Sequence, residues 1–266
     1  MKEIFLFILL FIPLILKAVK KYDFYQGKDY FVQKTIDTKN VEKGIIRAKV
    51  DGRFQDFKLV ELPEEFLNWN FQRRLSMIEK IKKKEAPDWA GPHNGMVATY
   101  GAQREDSRFK INVAVKGMGF LPKKEKIKEV LNLLKTTIND SFEKKVRILE
   151  SLYKNGKEIF DLTKQVSLEL YTDKNFYTQT FLNQMVNPAC AIVFLDIPSY
   201  KIKCLAQLLH PNNPYLSDYE QDVCEYANLI HDYFHGESSR KSIAVIYYII
   251  EVFDNTPAKG KGKKIR

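Results

Sequence analysis

Two histidines, His231 and His235, stand four residues apart in the stretch HDYFHGE. On a helix that spacing puts both rings on one side, where they can chelate a metal with Asp232 or Glu237 close by. The stretch lacks the glutamate position of the H-E-x-x-H zinc signature. Gly236 suits the residue just past a helix end, where histidine is favoured beside the last carbonyls. A helix C-terminus is the simpler reading, and no metal site is assigned. The three cysteines are Cys190, Cys204 and Cys224. An odd count without C-x-x-C spacing argues against a zinc knuckle and a disulfide scaffold. Cys190 and Cys204 lie in apolar strand patterns and read as small core hydrophobes. Cys224 and His231 are two helical turns apart, too far to act as nucleophile and base, and no G-x-S-x-G elbow occurs.

Whatever chemistry the chain performs must be positioned by ordinary globular elements. Of 266 residues, 45% are hydrophobic and 29% charged, a globular composition and not a disordered one. The net charge of +10 makes nucleic acid or an anionic membrane surface a candidate partner. The lysines are interleaved with glutamates, as on an ordinary solvated surface. Tyr22, Phe24, Tyr25 and Tyr30 lie among Lys20, Lys21 and Lys28, and either form a stacking patch for nucleic acid or pack against the body.

The apolar run Ile4 to Leu16 falls short of the roughly 20 residues of a membrane span. Three readings stay open: a secretory signal or signal anchor, an interfacial anchor, or a buried element of the domain. The expected localisation is secretory or membrane-associated.

Asp51-Gly52 between GIIRAKV and RFQDFKLV predicts a hairpin with a two-residue turn. Pro63 to Lys84 predicts a helix with acids at its start, lysines at its end and Pro87 as its stop. Met96 to Tyr100 and Phe109 to Val115 read as strands. Lys123 to Asn155 reads as a helical hairpin whose second helix is capped by Asp140. Ile243 to Ile250 reads as a strand buried on both faces. The organisation expected is a hydrophobic segment at 1–21, a hairpin plus helix at 22–90, a β domain at 91–257 with a helical insertion at 120–160, and a basic disordered tail at 258–266.

The most informative unit is Ser167 to Leu209: strand, short helix closed by Asn187-Pro188, apolar strand, turn, strand. Its stretch LYTDKN…FLNQMVNPACAIVFLD…YKIKCLAQLL resembles the pyridoxamine 5'-phosphate oxidase-like, FMN-binding split-barrel family. The matching residues are Tyr171, Thr172, Asp173, Leu182, Asn187, Pro188, Ala191 to Phe194, Lys201 and Lys203. Met96 to Pro122 is more loosely similar to the family's opening hairpin. The resemblance covers about residues 95–257 and implies an α+β fold: a split-barrel-like antiparallel β domain decorated by helices, after an N-terminal hydrophobic segment. A different α+β fold carries the same local pattern and stays open.

The resemblance further implies FMN, with Thr172, Lys174 and Thr178 toward its phosphate and Lys110 and Lys116 as the nearest basic residues on the flavin-lining strand. A phosphate dianion needs charge-assisted donors. Here KNFYTQ places Phe176, Tyr177 and Thr178 where the family brings a serine and a basic residue. Two functions follow as expectations. One is a flavin-binding split-barrel protein, either an FMN-dependent oxidoreductase or a flavin-free relative, with a homodimer among its expected assemblies. The other is a non-catalytic structural or assembly protein whose basic surface meets an anionic membrane, nucleic acid or protein.

Overall fold

The structure is a computed structural model that describes residues 22–86 and 88–266. The readings of the hydrophobic segment 1–21, and of Pro87 as a helix stop, lie outside the described residues. A small sheet comes first: β1 (Ile36–Asp37), β2 (Ile45–Val50) and β3 (Arg53–Lys58), in that order. The β2–β3 turn is Asp51-Gly52, with φ 49° and 83°, the positive angles that an Asp-Gly turn supplies. Helix α1 (Glu64–Lys82) follows, with Glu64 and Glu65 in its first turn and Lys80 and Lys82 in its last.

The main sheet comprises β4 (Asn94–Tyr100), β5 (Ile111–Gly117), β6 (Gly119–Pro122), β7 (Phe160–Glu169), β8 (Ala189–Phe194), β9 (Tyr200–Leu209) and β10 (Ile243–Asp254). Between β6 and β7 lie α2 (Ile127–Thr137), α3 (Phe142–Lys154) and the single turn α4 (Gly156–Ile159). Helix α5 (Gln179–Val186) joins β7 to β8, and α6 (Asp218–His235) joins β9 to β10. The helical hairpin is present, but Ser141 caps α3 by accepting from the Lys144 N–H, while Asp140 pairs with Lys144 instead. The basic tail, expected to be disordered, folds back: β11 (Lys263–Lys264) pairs with Phe253 and Asp254 of β10.

The strand order is β5-β4-β8-β9-β10-β7-β6, antiparallel at each pairing. β5 and β6 are the two ends of this order, yet Met118 alone separates them in the chain. A sheet whose first and last strands are joined by one residue has to curl round on itself. The fold is therefore α+β, with an antiparallel sheet curled into a half-barrel and decorated by helices. At Met118 β5 runs on into β6, which pairs with β7 through Gly119–Val166 and Phe120–Gln165. Continued past Met118, the same register sets Lys116 opposite Glu169, and there an ion pair of 2.7 Å takes the place of the ladder. Farther along, β5 turns away to pair with β4, and the barrel is split.

The bend at Met118 is held from outside the sheet. Its N–H donates to the His93 carbonyl at 2.8 Å. Its carbonyl accepts from Arg74 Nη2 at 2.7 Å, and the same nitrogen donates to the Pro92 carbonyl at 2.9 Å. Arg74 is 5% exposed and donates further to Asn70 Oδ1 and the Tyr153 hydroxyl, with Phe120 and Tyr153 rings against its guanidinium. Among the described residues no carboxylate pairs with it. A buried cation satisfied by neutral oxygens and ring faces is costly to lose, since its partners are left unmatched. Gly95, opposite Lys116, completes the corner: a Cβ there would lie 2.7 Å from Met118 Cγ and 2.8 Å from Ile192 Cγ2.

The outer face of β5, β4 and β8 carries no charge. Val115, Met96 and Val193 form one row across the three strands, and Val113, Ala98 and Ala191 the next. Ile111, Val113 and Val115 are each at least 60% exposed. Helix α5 lies on the opposite, inner side, bonded to Asn112 of β5 and Thr99 of β4.

Candidate functional site

The candidate site is the barrel end closed by α5. Its framework begins where β7 stops. Asp173 Oδ1 accepts the Asn175 and Phe176 N–H groups at 2.7 and 3.0 Å, which turns the chain back. Thr178 then caps α5 by accepting the Phe181 N–H at 3.1 Å. Thr172 Oγ1 donates to Thr178 Oγ1 at 3.3 Å and accepts the Thr178 N–H at 3.2 Å. Thr172 and Thr178 are thus brought together, and their oxygens are used in building the helix start.

Helix α5 is buried on every side and carries amides where a core helix would carry aliphatics. Asn183 Nδ2 donates to Thr99 Oγ1 and the Lys110 carbonyl, and its Oδ1 accepts from Ala102 N–H and Gln179 Nε2. Gln184 Nε2 reaches the Tyr247 hydroxyl at 3.4 Å. The polar side chains of β7 face this plug. Gln165, Ser167 and Glu169 alternate along the strand, so they share one face, and all three are buried. Gln165 stands directly across from Tyr247. Both amide atoms of Gln165, Ser167 Oγ, Glu169 Oε1 and Gln184 Oε1 find no partner among the described residues. Burial above all pushes the Tyr247 hydroxyl far above its ordinary range, so the phenol stays protonated.

Lys116, Arg104 and Arg240 at this end are each matched by a carboxylate. Lys116 is held by Glu169, which is 1% exposed. Arg104 forms a fork with Asp106, 2.6 Å on each arm, and lies 5.6 Å over the Phe176 ring. Arg240 pairs with Asp173 at 3.6 Å and donates to the Leu170 carbonyl. Lys110 and Lys174 lie at the surface, and the Lys110 backbone carbonyl accepts from Asn183 Nδ2 of the plug. An FMN phosphate placed at the Thr172–Thr178 turn would meet Asp106 and Asp173 together with their paired guanidiniums. A dianion gains little where each nearby guanidinium is already neutralised by a carboxylate. The paired guanidiniums of Arg104 and Arg240 therefore offer an FMN phosphate little net charge.

Elsewhere, Phe24 meets Tyr177 and Phe181, and Tyr25 stacks on Tyr177 at 6.1 Å. Phe24 and Tyr25 therefore lie against α5 and the loop before it, whereas Tyr30 packs on Tyr215. The His231 and His235 rings are 4.8 Å apart at the end of α6, and among the described residues no cluster of three or more His, Cys, Asp or Glu is placed to hold a metal. Sequence reasoning missed Arg74, Glu169, Gln165, Ser167 and Asn183. The available signal was the polar alternation of KQVSLE, which reads equally well as a strand with one solvated face.

No family model matches the sequence, and no curated protein matches it. Among solved structures the chain is similar to a protein of Clostridium acetobutylicum related to general stress protein 26 of B. subtilis, of the pyridoxinephosphate oxidase family. The two share 11% identity with a TM-score of 0.33, covering 77% of this chain and 97% of the other.

Proposed function

We propose that this chain is a flavin-free, non-catalytic protein on a split-barrel framework, and that two copies associate through the uncharged outer face of β5, β4 and β8. The observation that carries the reading is this face. The described residues leave its rows of Val, Met and Ala uncovered, with Val113 and Val115 60% and 65% exposed. Contiguous exposed apolar surface bounded by polar residues marks an interaction site. Lys201 and Lys203 of β9 stand at its border. Each chain carries +10, so two copies repel through most of their surfaces, and an uncharged face is where contact meets least repulsion. The carboxylate-matched cations at the α5 end support the flavin-free part.

Sedimentation equilibrium and FMN titration test the two parts separately. A dimer is expected for the full chain, and a folded monomer for Val113→Glu. A monomeric wild type, or a Val113→Glu variant still dimeric, overturns the association. A preparation absorbing at roughly 450 nm, or one that takes up FMN in stoichiometric amount, overturns the flavin-free reading.

A further inference from the structure

We propose that Cys190 and Cys204 form a cross-strand disulfide, linking β8 to β9 inside the barrel, when the chain folds under oxidising conditions. The two cysteines are direct partners in the antiparallel register. Directly opposed residues in such a pair have Cα atoms about 4.5–5.5 Å apart, within the span a disulfide bridges without moving backbone. Their Sγ atoms are 3.4 Å apart. Each Sγ also lies 3.7 Å from the other residue's carbonyl oxygen, so the thiols sit in a reciprocal arrangement across the ladder. Closing to a bond of about 2.05 Å would bring the two sulfurs about 1.3 Å nearer. Cys224 is elsewhere: it lies on α6 with its thiol on the Leu209 carbonyl, and burial first of all pushes that thiol up to about 12.

The chemistry is thiol–disulfide exchange with a low-molecular-weight disulfide such as oxidised glutathione. One cysteine thiolate attacks the reagent, forming a mixed disulfide and expelling one glutathione thiolate. The second cysteine thiolate attacks the protein sulfur of that mixed disulfide and expels the other. The two cysteines lose two electrons, the reagent gains them, and the two protons end on the two glutathione molecules. In the folded chain Cys190 is 8% exposed and Cys204 3%, and burial, ahead of the neighbouring Cys190 thiol, raises the Cys204 thiol far above its ordinary range. The exchange therefore belongs to folding, before β9 closes on β8. The bond would tie positions that the ladder already holds in register, and it would restrict the unfolded chain.

The test is to refold the full-length reduced chain from denaturant in a glutathione redox buffer. Free thiols are then alkylated under denaturing conditions and the peptides mapped by mass. The expected result is one alkylated cysteine, Cys224, and a linked Cys190–Cys204 peptide pair that separates on reduction. Cys224→Ser should keep the link, and the oxidised wild type should melt several degrees above the reduced form. Cys204→Ser should melt at one temperature with or without reductant. Three alkylated thiols, a link that involves Cys224, or a melting temperature of the wild type indifferent to reductant overturns the proposal.

Discussion

The ion pair between Lys116 and Glu169 is expected to be the closing clasp of the barrel, and removing one side of it should cost far more than removing both. The pair joins β5 to β7 just past the point where the β6–β7 ladder gives out. Side-chain exposures are 12% for Lys116 and 1% for Glu169, so neither charge is well hydrated. At 2.7 Å and an effective dielectric constant near 20, the Coulomb attraction is about 6 kcal/mol before desolvation is subtracted. Lys116→Met leaves a carboxylate buried with both oxygens unmatched, because Glu169 Oε1 already lacks a partner among the described residues. Breaking a buried pair in this way costs about 3–5 kcal/mol, whereas exchanging both partners for apolar residues of similar volume is nearly neutral. Lys116→Met/Glu169→Leu should therefore recover most of the loss. The assay is equilibrium urea unfolding of wild type, both single variants and the double variant, with amide exchange in β5 as a local readout. A cost for Lys116→Met below about 1 kcal/mol, or single-variant costs that simply add, would refute the reasoning.

Arg74→Leu is expected to destabilise by about 4 kcal/mol or more, since it strips buried carbonyls at Pro92 and Met118 of their donor; thermal melts check this, and a loss under about 1 kcal/mol would show that the Met118 bend holds itself. Gly95→Ala should cost about 1–3 kcal/mol, because its new Cβ overlaps Met118 and Ile192 on the inner face of the barrel, whereas the same change at Gly117, where nothing lies within 4 Å, should cost clearly less. His210 packs edge-on against Tyr25 and Phe31, accepts the Asn212 N–H at Nδ1, and is held by burial at about 4. Between its ordinary 6.5 and that value the unfolded chain binds a proton that the folded chain does not. Stability should therefore fall as pH drops through this window, by roughly 2–3 kcal/mol at pH 4, and be unaffected by this group above it. His210→Phe should flatten that part of the urea-midpoint profile between pH 7 and 4.5, and an unchanged profile would exclude His210 as its source.

Several elements were legible because their signals are local. The Asp51-Gly52 turn, the acid-to-lysine run of α1, the helical hairpin, and the Asn187-Pro188 helix stop each depend on residues within a few positions of one another. Even locally, a cap can be displaced by its neighbour: Ser141 took the role expected of Asp140, whose carboxylate pairs with Lys144 one turn along α3. Of the residues assigned to a phosphate, Thr172 and Thr178 do meet, because a short turn joins them. That Lys116 is claimed by Glu169, and Arg240 by Asp173, depends on strands and loops far apart in the chain.

By itself the sequence determined the element types and an α+β composition, since periodicity, caps and turn residues act over one or two turns of chain. Only the tertiary structure decided that β5 and β6 close the sheet on each other, that the polar residues of β7 turn inward while Val166 and Leu168 pack on the other side, and that Cys190 faces Cys204. Those facts are matters of register, and register is set by which distant strands exclude water from each other, a choice no short stretch of residues contains.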